Sequence, residues 1–155
     1  MFQIPRAPLV LGLAGLIPFL GGALIAIGMM NEGMPPPAEA GYLLVPPQDG
    51  LALLVLYGTI ILSFMSGVLW GFAAKSQGLT ATTGYILSVI PALWAFLMRG
   101  STDTETVLYL LIGFLGLLLL DYYFYRLGLT PPWWMRLRLL LTSIVVMCLT
   151  VGFTG

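Results

Sequence analysis

Long apolar runs alternate with short polar or proline-rich segments along all 155 residues of the chain. A helix that crosses a lipid bilayer needs roughly 20 mainly apolar residues. Five runs are long enough, and they predict transmembrane helices at about residues 7–30, 50–74, 79–98, 106–125 and 133–153. The segments between them are too short to fold separately, so residues 1–155 are predicted to form one all-α transmembrane domain, a bundle of five helices.

The composition indicates that this bundle is surrounded by lipid. Hydrophobic residues make up 59% of the chain and charged residues 8%, whereas an ordinary soluble domain carries about 25% charged residues. Pro18 and Pro91 fall inside predicted helices. A membrane helix tolerates proline where neighbouring helices satisfy the carbonyl group that it frees, so we expect kinks in the first and third helices.

The charges of the polar segments predict an orientation. One side of the membrane would receive five basic residues and no acid: Arg6, Lys75, Arg126, Arg136 and Arg138. The other side would receive the loop acids and one base: Glu32, Glu39, Asp49, Asp103, Glu105 and Arg99. Because short cytoplasmic loops carry the excess of lysine and arginine, the N-terminus is predicted in the cytoplasm and the C-terminus outside.

The longest polar segment, residues 31–49, is predicted to lie on the outer surface without long regular structure. Three consecutive prolines at 35–37 favour an extended polyproline conformation, and two more at 46–47 interrupt helix again. The apolar stretch GYLLV between them is suited to lying on the membrane or against a partner.

Few residues of the chain are suited to catalysis or to metal binding. There is no histidine, the side chain that most often acts as general base and metal ligand, and the single cysteine, Cys148, lies in an apolar run. Six basic and six acidic residues cancel, so no overall positive field favours nucleic acid. We expect no catalytic residue, no metal site and no cofactor, and we expect membrane lipids and other integral membrane proteins as partners.

Two stripes of small residues are predicted to bring helices together. Small side chains allow helix backbones to approach closely in lipid, and residues four apart lie on one face of a helix. The stripes are Ser63, Gly67 and Gly71 on the second helix, and Thr80, Gly84, Ser88 and Ala92 on the third. We expect both faces to pack against other helices of the same chain; the alternative is that one of them docks a partner protein.

Asp121 is an acid within an apolar span, between GFLGLLLL and YYFY. A carboxylate there is costly, by about 2.5–3.5 kcal/mol at a helix centre, so a basic partner is expected. Arg138 is the predicted partner because it lies at matching depth on the antiparallel fifth helix; Arg136 is the runner-up, and Arg126 lies some 140° around its own helix. A structural ion pair is favoured over a proton or cation relay, since a relay normally needs polar groups at several depths.

The stretch PPWWMRLR, residues 131–138, is predicted to start the fifth helix. Proline suits the first turn of a helix, and Trp133 and Trp134 are expected to anchor that turn at the lipid–water boundary. A ligand cleft built from Trp133, Trp134 and Arg136 is the alternative.

Four stretches stand out in order along the chain: PLVLGLAGLIPF, YGTIILSFMSGVLWG, SVIPALWAF and RLGLTPPWWMRLRLLLT. Together they resemble a bacterial inner-membrane family of unknown function that includes the animal transmembrane protein 69. That family often has a histidine just before the WG of the second stretch, where this chain has Leu69. The resemblance implies a multi-pass protein of the bacterial inner membrane and no established activity.

Three kinds of function fit these observations. The favoured one is a non-catalytic accessory, structural or assembly subunit of a larger inner-membrane complex, respiratory or photosynthetic. The alternative is a small-molecule or lipid-binding protein with five helices, which Trp70, Trp94 and the PPWW stretch suggest. An enzyme or transporter is disfavoured, because no Ser–His, Cys–His or two-carboxylate arrangement falls within the predicted spans.

Overall fold

The computed structural model describes residues 3–28 and 49–154 of the chain. It contains the helices α1 (Arg6–Ala14), α2 (Ile17–Ala26), α3 (Gly50–Ala73), α4 (Gly78–Leu97), α5 (Asp103–Arg126) and α6 (Trp134–Thr154). α1 and α2 together form the first span, so the described residues hold five segments long and apolar enough to cross a membrane. The prediction of an all-α, five-span protein is confirmed. The polyproline prediction for residues 31–49 falls almost entirely outside the described residues.

Local hydrogen bonds define the start of α3 and the turn after α5. Asp49 caps α3, because its carboxylate accepts from the backbone N–H of Ala52 at 2.9 Å. After α5 the chain turns at Gly128, whose φ of +70° is a conformation that glycine adopts without strain. The N–H of Leu129 then bonds the carbonyl of Phe124 at 3.1 Å. This tight turn returns the chain directly into α6, so that the end of α5 lies beside the start of α6.

The first span is interrupted at Gly15 and Leu16, just before Pro18. Proline has no N–H to donate to the preceding turn, and the N–H of Leu16 bonds instead to Leu13 at 3.0 Å in a tighter turn. The hydroxyl of Tyr57 on α3 donates to the carbonyl of Gly15 at 3.0 Å. A neighbouring helix thus satisfies a carbonyl at the break, as membrane proteins require.

α4 continues through Pro91 without interruption, from Gly78 to Leu97. The hydroxyl of Ser66 on α3 donates to the carbonyl of Ser88, one turn before this proline. In both proline-containing spans, therefore, a hydroxyl of α3 bonds a carbonyl close to the proline, although only the first span is broken in the described residues.

α3 lies at the centre of the bundle, in contact with α2, α4 and α5, while α6 packs against α5 and α2. The inner face of α3 is apolar, and its side chains Leu54, Leu62 and Leu69 are fully buried. Phe19 of α2 packs edge-on against Phe114 of α5, with ring centroids 5.9 Å apart. Large apolar side chains also cover the outside of the bundle, and this is the surface that a protein surrounded by lipid presents.

The two stripes of small residues have different surroundings. On α4, Gly84 allows close packing, since a Cβ there would lie 2.9 Å from the Cβ of Ala73. Ser88 is buried, Ala92 is half-buried and Thr80 is exposed. The α4 face therefore packs against α3 through most of its length.

The stripe on α3 was wrongly predicted to pack within the chain. Ser63, Gly67 and Gly71 are exposed, and a Cβ built at either glycine meets no described atom within 4 Å. The reason is the placement of the large side chains: Leu62 and Leu69 turn the opposite face of α3 inward.

Candidate functional site

A buried polar cluster joins the C-terminal part of α5 to the N-terminal part of α6. Asp121 lies five residues before the last residue of α5, and Arg138 lies four residues after the first residue of α6. At 1.5 Å per residue both lie about 6–8 Å from the ends of their helices. Since the turn at Gly128 makes α5 and α6 antiparallel neighbours, the two side chains meet at the same depth.

The geometry of the cluster satisfies both oxygens of the Asp121 carboxylate. The Nε of Arg138 donates to Oδ2 at 2.6 Å, and the indole Nε1 of Trp134 donates to Oδ1 at 2.8 Å. Asp121 is fully buried and Arg138 is 4% exposed. Two opposite charges therefore cancel inside the bundle, where an unpaired charge would be strongly disfavoured.

Among the basic residues of this end, Arg138 is the one that the structure pairs with Asp121. Arg126 donates to the hydroxyl of Tyr122 on its own helix at 3.2 Å, and Arg136 is exposed. The structure thus brings Asp121 together with Arg138, the partner that depth matching favours.

Trp134, predicted as an interfacial anchor, also belongs to the buried cluster. Its ring packs edge-on against Phe72 of α3, with centroids 5.0 Å apart, and its N–H is held by Asp121. It lies four residues before Arg138 and therefore on the same face of α6. That spacing is the signal that could have assigned it to the cluster. Trp133 is half-buried beside it, with ring centroids 6.1 Å apart.

The family model described as a protein of unknown function, DUF3429, matches residues 4–154. The chain belongs to the DUF3429 family. Transmembrane protein 69 of Xenopus tropicalis is 36% identical to this DUF3429 chain over 153 residues, which cover 94% of the chain and 53% of that protein. The chain therefore spans about half the length of the curated relative that it matches. No solved structure matches the chain. The resemblance predicted from the four stretches is confirmed.

Two buried polar atoms of this DUF3429 bundle have no hydrogen-bond partner among the described residues. They are the Nη2 of Arg138 and the hydroxyl oxygen of Thr142. Thr142 follows Arg138 by one helical turn, so both lie on one face of α6. Both line a cavity of about 300 Å³ between the first span, α3, α5 and α6.

We call this space the α1–α6 cavity. Its wall is otherwise apolar and includes Gly12, Leu16, Phe19, Met65, Phe114 and Val145. None of the tryptophans contributes to it; Trp94, for example, donates to the carbonyl of Tyr109 at 2.7 Å elsewhere in the bundle. This cavity therefore has phenylalanine walls and one polar edge, whereas Trp94 lines a separate apolar space of about 280 Å³ with Pro91 and Gly113.

In the described ranges, 3–28 and 49–154, no three side chains of the metal-ligating types come together. The chemistry that the arrangement offers is hydrogen-bond donation from Arg138 and Thr142 into an apolar space. A few polar groups at the edge of an otherwise apolar cavity are typical of a binding site for a small molecule.

Proposed function

We propose that this DUF3429 chain is a non-catalytic accessory or assembly subunit of a larger membrane complex. It docks a transmembrane helix of another integral membrane protein on the small-residue face of α3, formed by Ser63, Gly67 and Gly71. The observation that carries the proposal is that this face is exposed and unpacked within the described chain, unlike the comparable face of α4.

Glycine inside a helix costs roughly 0.5–1 kcal/mol relative to alanine. Gly84 of α4 offsets that cost by close packing on Ala73. Gly67 and Gly71 lack an equivalent contact among the described residues, whereas a partner helix at this face would supply it.

The surroundings of the face suit a helix as occupant. Phe64 and Trp70 are 64% and 50% exposed, and at 100° per residue they flank the line of Ser63, Gly67 and Gly71 on either side. The small residues therefore lie between two exposed aromatic side chains, with open space at the Cβ position of Gly67 and Gly71. Another helix can approach such a face with its backbone close to the glycines, which is how small residues promote association in lipid.

The proposed location is the bacterial inner membrane, with the N-terminus in the cytoplasm. The helix order supports this orientation, because Arg6, Lys75, Arg126 and Arg136 all belong to one end of the bundle, and Asp49, Asp103 and Glu105 to the other. An excess of basic residues is typical of short cytoplasmic segments.

We expect an impermeant maleimide to distinguish the two ends in intact cells. In a Cys148→Ala background, a cysteine at Asp103 should react directly, and a cysteine at Lys75 should react only after permeabilisation. Both positions are exposed in the structure, so access to the reagent depends on the side of the membrane. Labelling of position 75 alone in intact cells would reverse the proposed orientation.

Replacement Gly71→Leu is expected to release the chain from its complex. Loss of about 1.4 kcal/mol of association free energy would leave about tenfold fewer complexes. The amount of complex is measured as the fraction of the chain that migrates above monomer size on native gels of mildly solubilised membranes. The thermal midpoint of the isolated chain should not fall, because nothing within 4 Å of this position is displaced.

Gly21→Leu is the matched control, since this glycine of α2 also has open space at its Cβ. It should leave the complex intact. If Gly71→Leu and Gly21→Leu give equal amounts of complex, the α3 face is not the docking surface. If mass spectrometry of the complex finds only further copies of this chain, the face serves self-association and the accessory role is refuted.

A further inference from the structure

The α1–α6 cavity carries a second inference, which is argued from its two polar atoms. Its two polar atoms are held in place: Arg138 is fixed by Asp121 through Nε at 2.6 Å, and Thr142 is 2% exposed. A buried polar group without a partner costs roughly 1–3 kcal/mol. A bound molecule that accepts hydrogen bonds from both groups would remove that cost, so the cavity favours an occupant with an oxygen acceptor.

The charge of the cluster selects a neutral acceptor. Asp121 already balances the positive charge of Arg138. A carboxylate or phosphate placed at Nη2 would leave a net negative charge in surroundings of low dielectric, which strongly disfavour it. A carbonyl oxygen accepts the same hydrogen bonds without adding charge.

The shape of the cavity determines what lies behind the carbonyl. Its volume of about 300 Å³ is at the lower end of the range for small-molecule sites, so it accommodates a ring or a short segment of chain. Phe19 and Phe114 form an edge-to-face aromatic wall. Leu11 and Phe64, 73% and 64% exposed, lie at the rim, and an apolar tail can leave there into the bilayer.

We propose that the α1–α6 cavity binds a neutral, carbonyl-bearing amphiphile from the membrane, with its carbonyl oxygen on Arg138 Nη2 and Thr142 Oγ1. Two classes of membrane molecule have this chemistry: quinones, whose carbonyl lies on an apolar ring, and diacylglycerol lipids, whose ester carbonyls lie at the top of acyl chains. The depth of Arg138, about 6 Å from the start of α6, is compatible with both.

The test titrates the purified full chain in detergent with three probes and counts bound molecules per chain by native mass spectrometry. The probes are decylubiquinone, dioctanoylglycerol and decylbenzene, which resembles the quinone but has no carbonyl. We expect saturable binding of one molecule of decylubiquinone or of dioctanoylglycerol, and this result identifies the source. Equal binding of decylbenzene, or no binding of either carbonyl probe, would overturn the proposal.

Thr142→Val tests the polar contact within this experiment. Valine keeps the shape of threonine and removes the hydroxyl, so the affinity for the carbonyl probe should fall about fivefold, the effect of losing one hydrogen bond. The thermal midpoint of the free chain should not decrease, because the hydroxyl removed has no partner in the described structure.

Thr150→Val is the matched control on the same helix. This threonine is exposed, and its hydroxyl donates to the carbonyl of Val146 at 2.8 Å, away from the cavity. It should bind the probe as the original chain does. Equal affinities for Thr142→Val and Thr150→Val would show that Thr142 does not hold the carbonyl.

Discussion

Replacing Asp121 by alanine is expected to lower the free energy of unfolding by about 3–5 kcal/mol, the usual effect of removing one member of a buried ion pair. The change leaves Arg138 charged and 4% exposed, and it also removes the acceptor for the indole N–H of Trp134. Reversible unfolding in mixed detergent micelles measures the difference. Asp103→Ala is the control, since Asp103 is an exposed acid at the start of the same helix.

The double variant Asp121→Ala, Arg138→Ala distinguishes an ion pair from two independent effects. Because the second change removes the charge that the first leaves unpaired, part of the lost stability should return. If the effects of the two single changes simply add in the double variant, Asp121 and Arg138 are not coupled.

Gly50→Ala is expected to have the second largest effect, a loss of about 3 kcal/mol of unfolding free energy. A Cβ at Gly50 would collide with the backbone carbonyl oxygen of Gly22 and the backbone nitrogen of Ala26. Backbone atoms cannot turn aside as a flexible side chain can, so α2 would have to move away from the start of α3. The same unfolding measurement detects the loss.

Gly21→Ala provides the comparison for this prediction. Its Cβ enters open space, and alanine favours helix over glycine by roughly 0.5–1 kcal/mol. The control should therefore be as stable as the original chain or slightly more so. Equal stability of Gly50→Ala and Gly21→Ala would contradict the close packing of α2 on α3.

The number and approximate bounds of the spans could be predicted because bilayer thickness sets the length of an apolar run. The predicted spans at about 50–74 and 79–98 correspond to α3 (Gly50–Ala73) and α4 (Gly78–Leu97). Pro18 also predicted a kink in the first span. The hydroxyl that bonds the Gly15 carbonyl at this break could not be predicted, because it comes from Tyr57, 42 residues away in the sequence.

The polar cluster could also be predicted only in part from the sequence. Depth along antiparallel helices was enough to pair Asp121 with Arg138, since depth follows from residue counts. The indole of Trp134 was assigned to the membrane boundary because tryptophan is common there. In the structure its N–H bonds Asp121 and its ring packs against Phe72 of α3, and the sequence does not show the contact with α3.

The stripes of small residues show what spacing leaves open. Ser63, Gly67 and Gly71 have the same four-residue spacing as Gly84 and Ser88, yet only the second set is packed within the described chain. Spacing identifies a face that a helix can approach. Which helix approaches it depends on the rest of the bundle and, for the α3 face, on the proposed partner.

Site-directed photocrosslinking in native membranes tests the proposed docking most directly. A photoreactive side chain at Ser63 lies on the α3 face, and one at Leu119, which is 72% exposed on α5, serves as the control. We predict that Ser63 captures one other integral membrane protein, that Gly71→Leu lowers this capture about tenfold, and that Leu119 captures only lipid. Docking of a partner helix on this face would be contradicted if the side chain at Ser63 captured the same molecules as the one at Leu119. It would also be contradicted if capture from Ser63 were unchanged in Gly71→Leu.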